Sequence, residues 1–319
     1  MRRPDRNPRW TAAFGYAAAL LSGLLMGVTW VVLKLILNAE VLGPADLNWL
    51  SIAGVLTIVA PVHLLRHRRN LFPRESPWGW LLVFALLASA IFYLRNLGVG
   101  ICGATTAAIV SRVETAFVFL LTYLVLRQPV GRLGWLGSLL LLAGALRTAG
   151  VGSAAVCTNA GGIIALAGAA LLIALNAVII KTQFARVSNE LVILASAVVQ
   201  TVIYSLAVPV FIGLEGVRAA LADPRLVSLV ALAAVVIAGN LFAYYYAMKR
   251  VPMWAARMLA LLAPPVAVLA DYLVLGTPVT VPALQGLLLV LGGAALVIVS
   301  GRSANHAHPD AAQEATGHA

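Results

Sequence analysis

Long apolar runs, separated by short polar links, follow one another along almost the whole chain. Each run is about 20 residues long, which is the length that a helix needs to cross a hydrocarbon core of ~30 Å. The pattern predicts ten transmembrane helices, at residues 14–37, 48–66, 77–95, 103–126, 132–149, 161–181, 190–212, 226–247, 252–275 and 279–300. The fold class that follows is an all-α polytopic membrane protein.

The composition agrees with this class and excludes a soluble protein. Of the 319 residues, 62% are hydrophobic and 10% are charged, whereas soluble domains carry about 25% charged residues. The formal net charge of +11, taken alone, would suggest a nucleic-acid partner. The basic residues lie mostly at the ends of the apolar runs, however, so we expect no nucleic-acid partner and take the lipid bilayer as the surroundings.

The Lys and Arg residues of the short links predict the orientation, because cytoplasmic links carry an excess of them. With a cytoplasmic N-terminus, fifteen Lys or Arg lie in inside segments and four lie at outside ends, namely Arg95, Arg147, Arg218 and Arg225. This distribution predicts two cytoplasmic termini, a basic segment at 1–13 and a disordered tail at 302–319. The expected location is a cytoplasmic (inner) membrane, crossed many times.

The chain also contains an internal duplication. "YLVLRQPV" at 123–130 matches "YLVLGTPV" at 272–279, and the offset of 272 − 123 = 149 also places Gly137 on Gly286 and Gly144 on Gly293. "LLMGVTWVVLK" at 24–34 lies over "LLIALNAVIIK" at 171–181. The repeats are 14–150 and 151–301, with five predicted helices each. An odd number of helices inserts the second copy upside down, so the sequence predicts an inverted repeat.

Corresponding links of the two copies carry charge according to their predicted side. "NLGVGICGA" at 96–104, predicted outside, has no charged residue, whereas its mate "YAMKRVPMW" at 246–254, predicted inside, has Lys249 and Arg250. The reverse holds after the fourth helix, where "LRQPVGRLG" has two Arg and its mate "LGTPVTVPA" has none. This contrast supports the inverted topology.

The opening "GYAAALLSGLLMGVTWVVLK" and the closing stretches of the two halves, which begin "VETAFVFLLTYLVLRQPVG" and "LAPPVAVLADYLVLGTPVT", carry a family resemblance. With them the chain resembles the EamA-type permeases of the drug/metabolite transporter superfamily over residues ~14–301. The resemblance implies alternating-access transport, commonly export, of a small organic metabolite or drug through a cavity between the halves. A lipid or lipid-linked-sugar flippase of the same superfamily is the alternative.

The same resemblance implies a transporter rather than an enzyme. The sequence has no phosphate-binding loop of the type GxxxxGK[ST] and no catalytic or zinc-ligand constellation. We therefore expect no cofactor and no metal, with a proton as the candidate coupling ion. The chain departs from the family at Gln128 and Thr277, where a Glu is frequent, and the frequent Glu-Pro of helix four is divided between Glu114-Thr115 and its mate Ala263-Pro264.

Two charged residues, Arg112 and Glu114, lie near the middle of the fourth predicted helix. A charge there costs roughly 2.5–3.5 kcal/mol on insertion scales and usually has a function. Their spacing of two residues puts them roughly 160° apart on a helix, so they do not pair along it. Glu114 is interpreted as a proton-coupling carboxylate or a contact for a cationic substrate group, or else as a structural acid bound to Arg257 or to another helix. Arg112 is interpreted as an anchor for a substrate carboxylate or phosphate, or else as a fixed counter-ion of Asp271 or of Glu114 in another layer.

The remaining candidates each have a structural alternative. Repeat symmetry makes Arg257 an inner and Asp271 an outer gate residue, or else both reach toward the headgroups. The repeat mates Lys34 and Lys181 are expected to reach toward the headgroups. A gate pair of Lys34 with Asp271 is the alternative. Substrate contacts are expected from four further residues, for which helix packing or an interfacial aromatic belt is the alternative: Thr29, Asn176, Trp30 and Tyr245.

Three further expectations concern partners and the two cysteines. Cys102 and Cys157 both fall in predicted outside links and are candidates for a disulfide, because an oxidising compartment would favour one. A homodimer and a small-molecule substrate complete the expected partners.

Overall fold

The computed structural model describes residues 8–37, 39–68, 71, 73–110, 113–127, 130–148, 159–275 and 281–307. Within these residues the regular secondary structure is helical and includes no strand. The helices are α1 (Pro8–Leu37), α2 (Pro44–Arg66), α3 (Trp78–Val110), α4 (Val113–Leu124), α5 (Arg132–Thr148), α6 (Ala160–Thr182), α7 (Asn189–Phe211), α8 (Glu215–Ala222), α9 (Pro224–Met248), α10 (Met253–Leu259), α11 (Ala263–Leu275) and α12 (Val281–Ala307), with a 3-10 turn at Ala260–Leu262. The predicted all-α class is confirmed.

Seven helical segments of the described chain are long and apolar enough to cross a membrane, namely Ala12–Leu37, Ala45–Arg66, Trp78–Arg95, Ala160–Thr182, Asn189–Phe211, Pro224–Met248 and Met253–Val274. Shorter apolar helices at Val113–Leu124, Arg132–Gly144 and Leu284–Ser300 lie within predicted spans four, five and ten. The chain is therefore a multi-pass membrane protein. The count of ten spans and the cytoplasmic position of both termini stay predictions.

Polar caps fix the starts of three long helices. Asn159, Ser188 and Asp223 each precede a helix and accept hydrogen bonds from backbone N–H groups of its first turn, at 2.8–3.3 Å. These N–H groups have no partner within the helix, and an unsatisfied one costs several kcal/mol in a bilayer. The caps therefore define where α6, α7 and α9 begin, and with them the links at the two ends of the bundle.

Helix α3 corrects the predicted division between the third and fourth spans. The sequence predicts an outside link at 96–104, but α3 continues through it to Val110. The segment has no proline to end the helix. A Cβ atom at Gly98 would lie 2.4 Å from Leu166 Cγ of α6, so this glycine permits close helix packing rather than a turn. The mate segment contains Pro252, and there the chain is interrupted between α9 and α10.

The helices pack in pairs that the duplication relates. Helix α6 is the repeat mate of α1, α7 of α2, α9 of α3, α11 of α4 and α12 of α5. Several contacts between two helices have a counterpart between their mates. Helix α1 packs on α9 as α6 packs on α3, and α2 packs on α9 as α7 packs on α3. In the same way, α1 packs on α11 as α6 packs on α4. The mates α2 and α7, and the mates α5 and α12, meet each other. This two-fold pattern confirms the two-repeat architecture.

The contact between α5 and α12 shows how the two copies are related. A Cβ atom at Gly137 would lie 2.8 Å from the Gly293 carbonyl oxygen, and one at Gly144 would lie 2.7 Å from the Gly286 carbonyl oxygen. Because Gly137 and Gly286 are mates, as are Gly144 and Gly293, the two contacts are equivalent under the repeat. The helices run antiparallel, as mates from an inverted repeat must. Small residues at both crossings let the backbones approach closely.

Links that are predicted to share a side of the membrane lie at the same end of the bundle. At one end, Lys249 after α9 donates a hydrogen bond of 2.6 Å to the carbonyl of Val187, in the link between α6 and α7. At the other end, α8 lies against the link between α1 and α2, since a Cβ atom at Gly216 would lie 2.6 Å from the Val41 carbonyl oxygen. The first end, formed by the ends of α2 and α9 and by the α6–α7 link, is called the basic end below.

Candidate functional site

An ion pair between Glu114 and Arg257 lies in the interior where the two halves meet. Glu114 is in the first turn of α4, in the first repeat, and its Oε1 lies 3.0 Å from Nη1 of Arg257 on α10, in the second repeat. The second guanidinium nitrogen, Nη2, donates a hydrogen bond of 3.2 Å to the carbonyl of Ile173 on α6. The guanidinium also lies 4.7 Å from the centre of the Tyr244 ring on α9. Four helices thus converge on one cation.

Both charged side chains are shielded but accessible in part. Their exposed fractions are 24% for Glu114 and 15% for Arg257. Removing one partner of such a pair leaves the other charge without compensation, which is costly in a low-dielectric interior. The Nε atom of Arg257 is buried and has no hydrogen-bond partner within the described chain. The other two guanidinium nitrogens bind Glu114 and the Ile173 carbonyl.

The structure brings Glu114 and Arg257 together, which is the structural alternative left open by the sequence. Protonation of the carboxylate would weaken the same ion pair, and the coupling interpretation of Glu114 stays a prediction. Arg112 lies outside the described residues. The backbone of Asp271 lies in α11, but its side chain, like that of Lys34, lies outside the described part of the chain. The interpretations of Arg112, Asp271 and Lys34 stay predictions.

Arg95, the last residue of the apolar segment Trp78–Arg95, lies against two aromatic rings. The sequence assigns it to the outer end of the third span, whereas α3 continues beyond it and holds it inside the helix. Its guanidinium carbon lies 4.5 Å from the centre of the Phe92 ring and 5.7 Å from that of Trp30 on α1. The feature of the sequence that could have indicated the continuation of α3 is the absence of proline in the residues that follow Arg95.

Trp30 and Tyr245 occupy different environments in the bundle. Trp30 is 46% exposed and faces Arg95, so its ring is accessible to a ligand or to lipid. Tyr245 is 5% exposed and packs edge-on against Phe84, with 6.0 Å between the ring centres. Its neighbour Tyr244, rather than Tyr245, lies against Arg257. The structure therefore places Tyr245 in the helix packing and Tyr244 at the ion pair.

Thr29 and Asn176 are both engaged within the protein. Thr29 donates its hydroxyl to the carbonyl of Leu25, one turn earlier, at 2.8 Å. Asn176 is 6% exposed, and its side-chain nitrogen lies 3.5 Å from the Phe84 carbonyl of α3. These positions agree with the helix-packing alternative. A substrate contact by either residue stays a prediction.

Lys181 contradicts the expectation that it reaches toward the headgroups. Its Nζ donates hydrogen bonds to the carbonyls of Met248 at 2.9 Å and Val251 at 2.7 Å. The Met248 carbonyl ends α9, where a cation is favourable because the last carbonyls have no partner in the helix, and the Val251 carbonyl lies in the link to α10. Lys181 thereby binds α6 to the end of α9 at the basic end.

Two remaining expectations concern metals and cysteines. The described residues contain no group of three or more His, Cys, Asp or Glu that could hold a metal ion. The backbone of Cys102 lies in α3 rather than in a link. Its side chain and the whole of Cys157 lie outside the described residues, so the disulfide stays a prediction.

A bundle of membrane-spanning helices, built from two inverted copies with an ion pair where the copies meet, is typical of a polytopic transporter. The family model of the EamA-like transporter family matches residues 13–149 and 160–299, which correspond to the two repeats. The chain belongs to this family. No curated protein matches it significantly.

The fold also has solved counterparts. One, described as "Crystal structure of protein", superposes with a TM-score of 0.73 over 92% of this chain and 97% of that chain, at 18% sequence identity. At this identity the similarity shows the fold alone.

Proposed function

We propose that the protein is a secondary active transporter that exports a small organic metabolite or drug across the cytoplasmic membrane by alternating access. The observation that carries the proposal is the ion pair between Glu114 and Arg257, since it joins the two inverted halves in the interior. Family membership and the distribution of basic residues support it. Relative movement of the halves changes the environment of this pair in each transport cycle.

The chemistry of the pair provides a way to couple substrate to protons. A substrate carboxylate or other acceptor competes with Glu114 for the Arg257 guanidinium, whose planar fork suits such groups. Protonation of Glu114 removes the competing charge and frees the guanidinium. Release of that proton restores the ion pair and expels the substrate. The two residues thus bind a proton and a substrate together, which couples the movement of both in the same direction.

The first test is transport by the full-length protein in proteoliposomes. The assay measures counterflow and flux driven by a pH gradient, with labelled amino acids, nucleosides and a lipid-linked sugar as probes. We expect at least one soluble probe to be exchanged. Exchange of the lipid-linked sugar alone would instead identify a flippase, and no exchange of any probe would count against transport of these classes.

Variants then separate coupling from folding. Glu114→Gln should retain counterflow but lose the response to the pH gradient, because its amide cannot exchange a proton. Glu215→Gln is the matched control, since Glu215 is an exposed carboxylate on α8. If Glu114→Gln keeps the full response to the pH gradient, the coupling role is wrong.

A further inference from the structure

A cavity of about 850 Å³ lies at the basic end. It is bounded by the end of α2, the α6–α7 link, the start of α7 and the end of α9. Its lining residues are Arg66, His67, Ala185, Arg186, Val187, Ser188, Asn189, Glu190, Tyr246, Lys249 and Arg250. Neither Glu114 nor Arg257 is among them, so the cavity is separate from the proposed transport site.

The lining is strongly cationic. Four of its side chains are Lys or Arg, and Glu190 is the one carboxylate among the described residues that line it. Glu190 is already bound, because its Oε1 forms an ion pair with Nη1 of Arg66. The carboxylate therefore neutralises one guanidinium and leaves an excess of positive charge around the cavity.

Several of these groups are held in place rather than extended into solvent. Lys249 Nζ donates to the Val187 carbonyl at 2.6 Å and to the Asn189 side chain at 2.5 Å, and an ammonium group has three hydrogens to donate. The guanidinium of Arg250 lies 3.5 Å from the centre of the Tyr246 ring. Such fixed donors lose little conformational freedom when they bind an anion.

The start of α7 adds to the positive potential. Ser188 caps this helix through Leu191, and Asn189 and Glu190 of its first turn line the cavity. A helix N-terminus carries a partial positive charge and favours anions. Here it adds to four cationic side chains contributed by three separate parts of the chain.

The rule that cytoplasmic links are basic explains the sign of these charges but not their convergence. Arg132 belongs to the same set of predicted inside residues and satisfies the rule without lining the cavity. Arg66, Arg186 and Lys249 are distant in sequence and meet around one volume. The cavity is large enough to admit a phosphate group together with part of the molecule that carries it.

We propose that this cavity binds a phosphate group, presented either by a soluble phosphorylated molecule or by the headgroup of an anionic phospholipid. The guanidinium groups supply bidentate donors and Lys249 a point charge, which is a combination suited to phosphate oxygens. The site acts independently of the proposed transport chemistry, since it shares none of its residues.

The test measures binding by the full-length protein with two probes. Inorganic phosphate is titrated in detergent solution and followed by calorimetry, and phosphatidylglycerol is offered in nanodiscs against phosphatidylcholine. Arg250→Gln is the principal variant, because the guanidinium of Arg250 contacts Tyr246, four residues earlier, and forms none of the hydrogen bonds described above between separate parts of the chain. Arg132→Gln is the control for basic charge at the same end, and Lys249→Arg tests whether charge rather than shape is required.

We expect Arg250→Gln to weaken binding at least tenfold and the control to change it less than twofold. Saturable binding of inorganic phosphate assigns the site to soluble ligands, and retention of phosphatidylglycerol alone assigns it to a lipid headgroup. Equal weakening by Arg250→Gln and Arg132→Gln, or no binding of either probe, would overturn the proposal. Monodisperse elution of each variant establishes that it is folded.

Discussion

The crossing of α5 and α12 has no room for a side chain at Gly293. A Cβ atom there would lie 2.6 Å from the carbonyl oxygen of Gly137 and 2.7 Å from the backbone nitrogen of Leu141, whereas ordinary contacts begin at 3.4 Å. Both obstructing atoms belong to the backbone and cannot rotate away. The substitution Gly293→Ala therefore requires the two helices to separate.

The expected cost follows from two opposing effects. Overpacking of a tight contact costs about 1–3 kcal/mol, and replacing a helical glycine by alanine contributes about 1 kcal/mol of helix propensity. Gly292→Ala receives the propensity effect alone, because nothing lies within 4 Å of its Cβ position. The two variants differ by one position on one helix, so their difference isolates the overpacking of about 1–3 kcal/mol.

Thermal unfolding in one detergent, followed by tryptophan fluorescence, measures this difference. We expect the midpoint of Gly293→Ala to lie roughly 2–6 °C below that of Gly292→Ala, on the usual relation between unfolding free energy and midpoint for chains of this size. Equal midpoints, or a higher one for Gly293→Ala, would refute the close crossing of the two repeat mates.

Three further outcomes are expected. Arg257→Lys should lower the unfolding free energy by about 1.5–3 kcal/mol in a denaturant titration, because it loses the charged hydrogen bond to the Ile173 carbonyl; an unchanged value would contradict the geometry. A double-mutant cycle of Ser22→Ala and Asn240→Ala should give a coupling of about 0.6–1.7 kcal/mol for the hydrogen bond of 2.7 Å that joins α1 to α9, and strict additivity would argue against the bond. Burial, with a smaller contribution from Arg250, lowers the pKa of Lys249 to about 8, although Glu190 opposes the shift. Lys249 lines the cavity at the basic end and is charged below that pKa, so the affinity of this cavity for sulfate, measured by calorimetry, should fall as pH rises through about 8. The substitution Lys249→Arg should abolish the fall. A flat pH profile for the wild type would contradict this role of Lys249. The other charged or titratable groups that line this cavity are Arg66, His67, Arg186, Glu190 and Arg250.

The repeat was readable from the sequence because it rests on spacing. The shared offset of Gly137 with Gly286 and of Gly144 with Gly293 leads directly to the two helix crossings that the structure shows. The pair of Glu114 and Arg257 was readable only as one of two alternatives. A charge in an apolar run requires a partner, but the sequence does not tell whether that partner is a side chain or a substrate.

The positions of helix ends and of lysine partners could not be predicted in the same way. Residues 96–104 and their mate differ by Pro252, and a glycine-rich segment without proline is compatible with a link or with a continuous helix. The continuation of α3 beyond Arg95 was not predicted for this reason. Lys181 and Lys249 were counted as charges that mark one side of the membrane, but their partners are carbonyls on other parts of the chain, which only the tertiary structure brings near.

Accumulation of substrate against its own gradient tests proton-coupled transport most directly. In proteoliposomes with an imposed pH difference, co-transport of one proton per substrate should support about a tenfold concentration ratio per pH unit, since one unit corresponds to 1.36 kcal/mol. We expect this ratio for the wild type and a ratio of about one for Glu114→Gln. A wild-type ratio that stays at one under every imposed pH difference, with counterflow intact, would contradict coupling through Glu114.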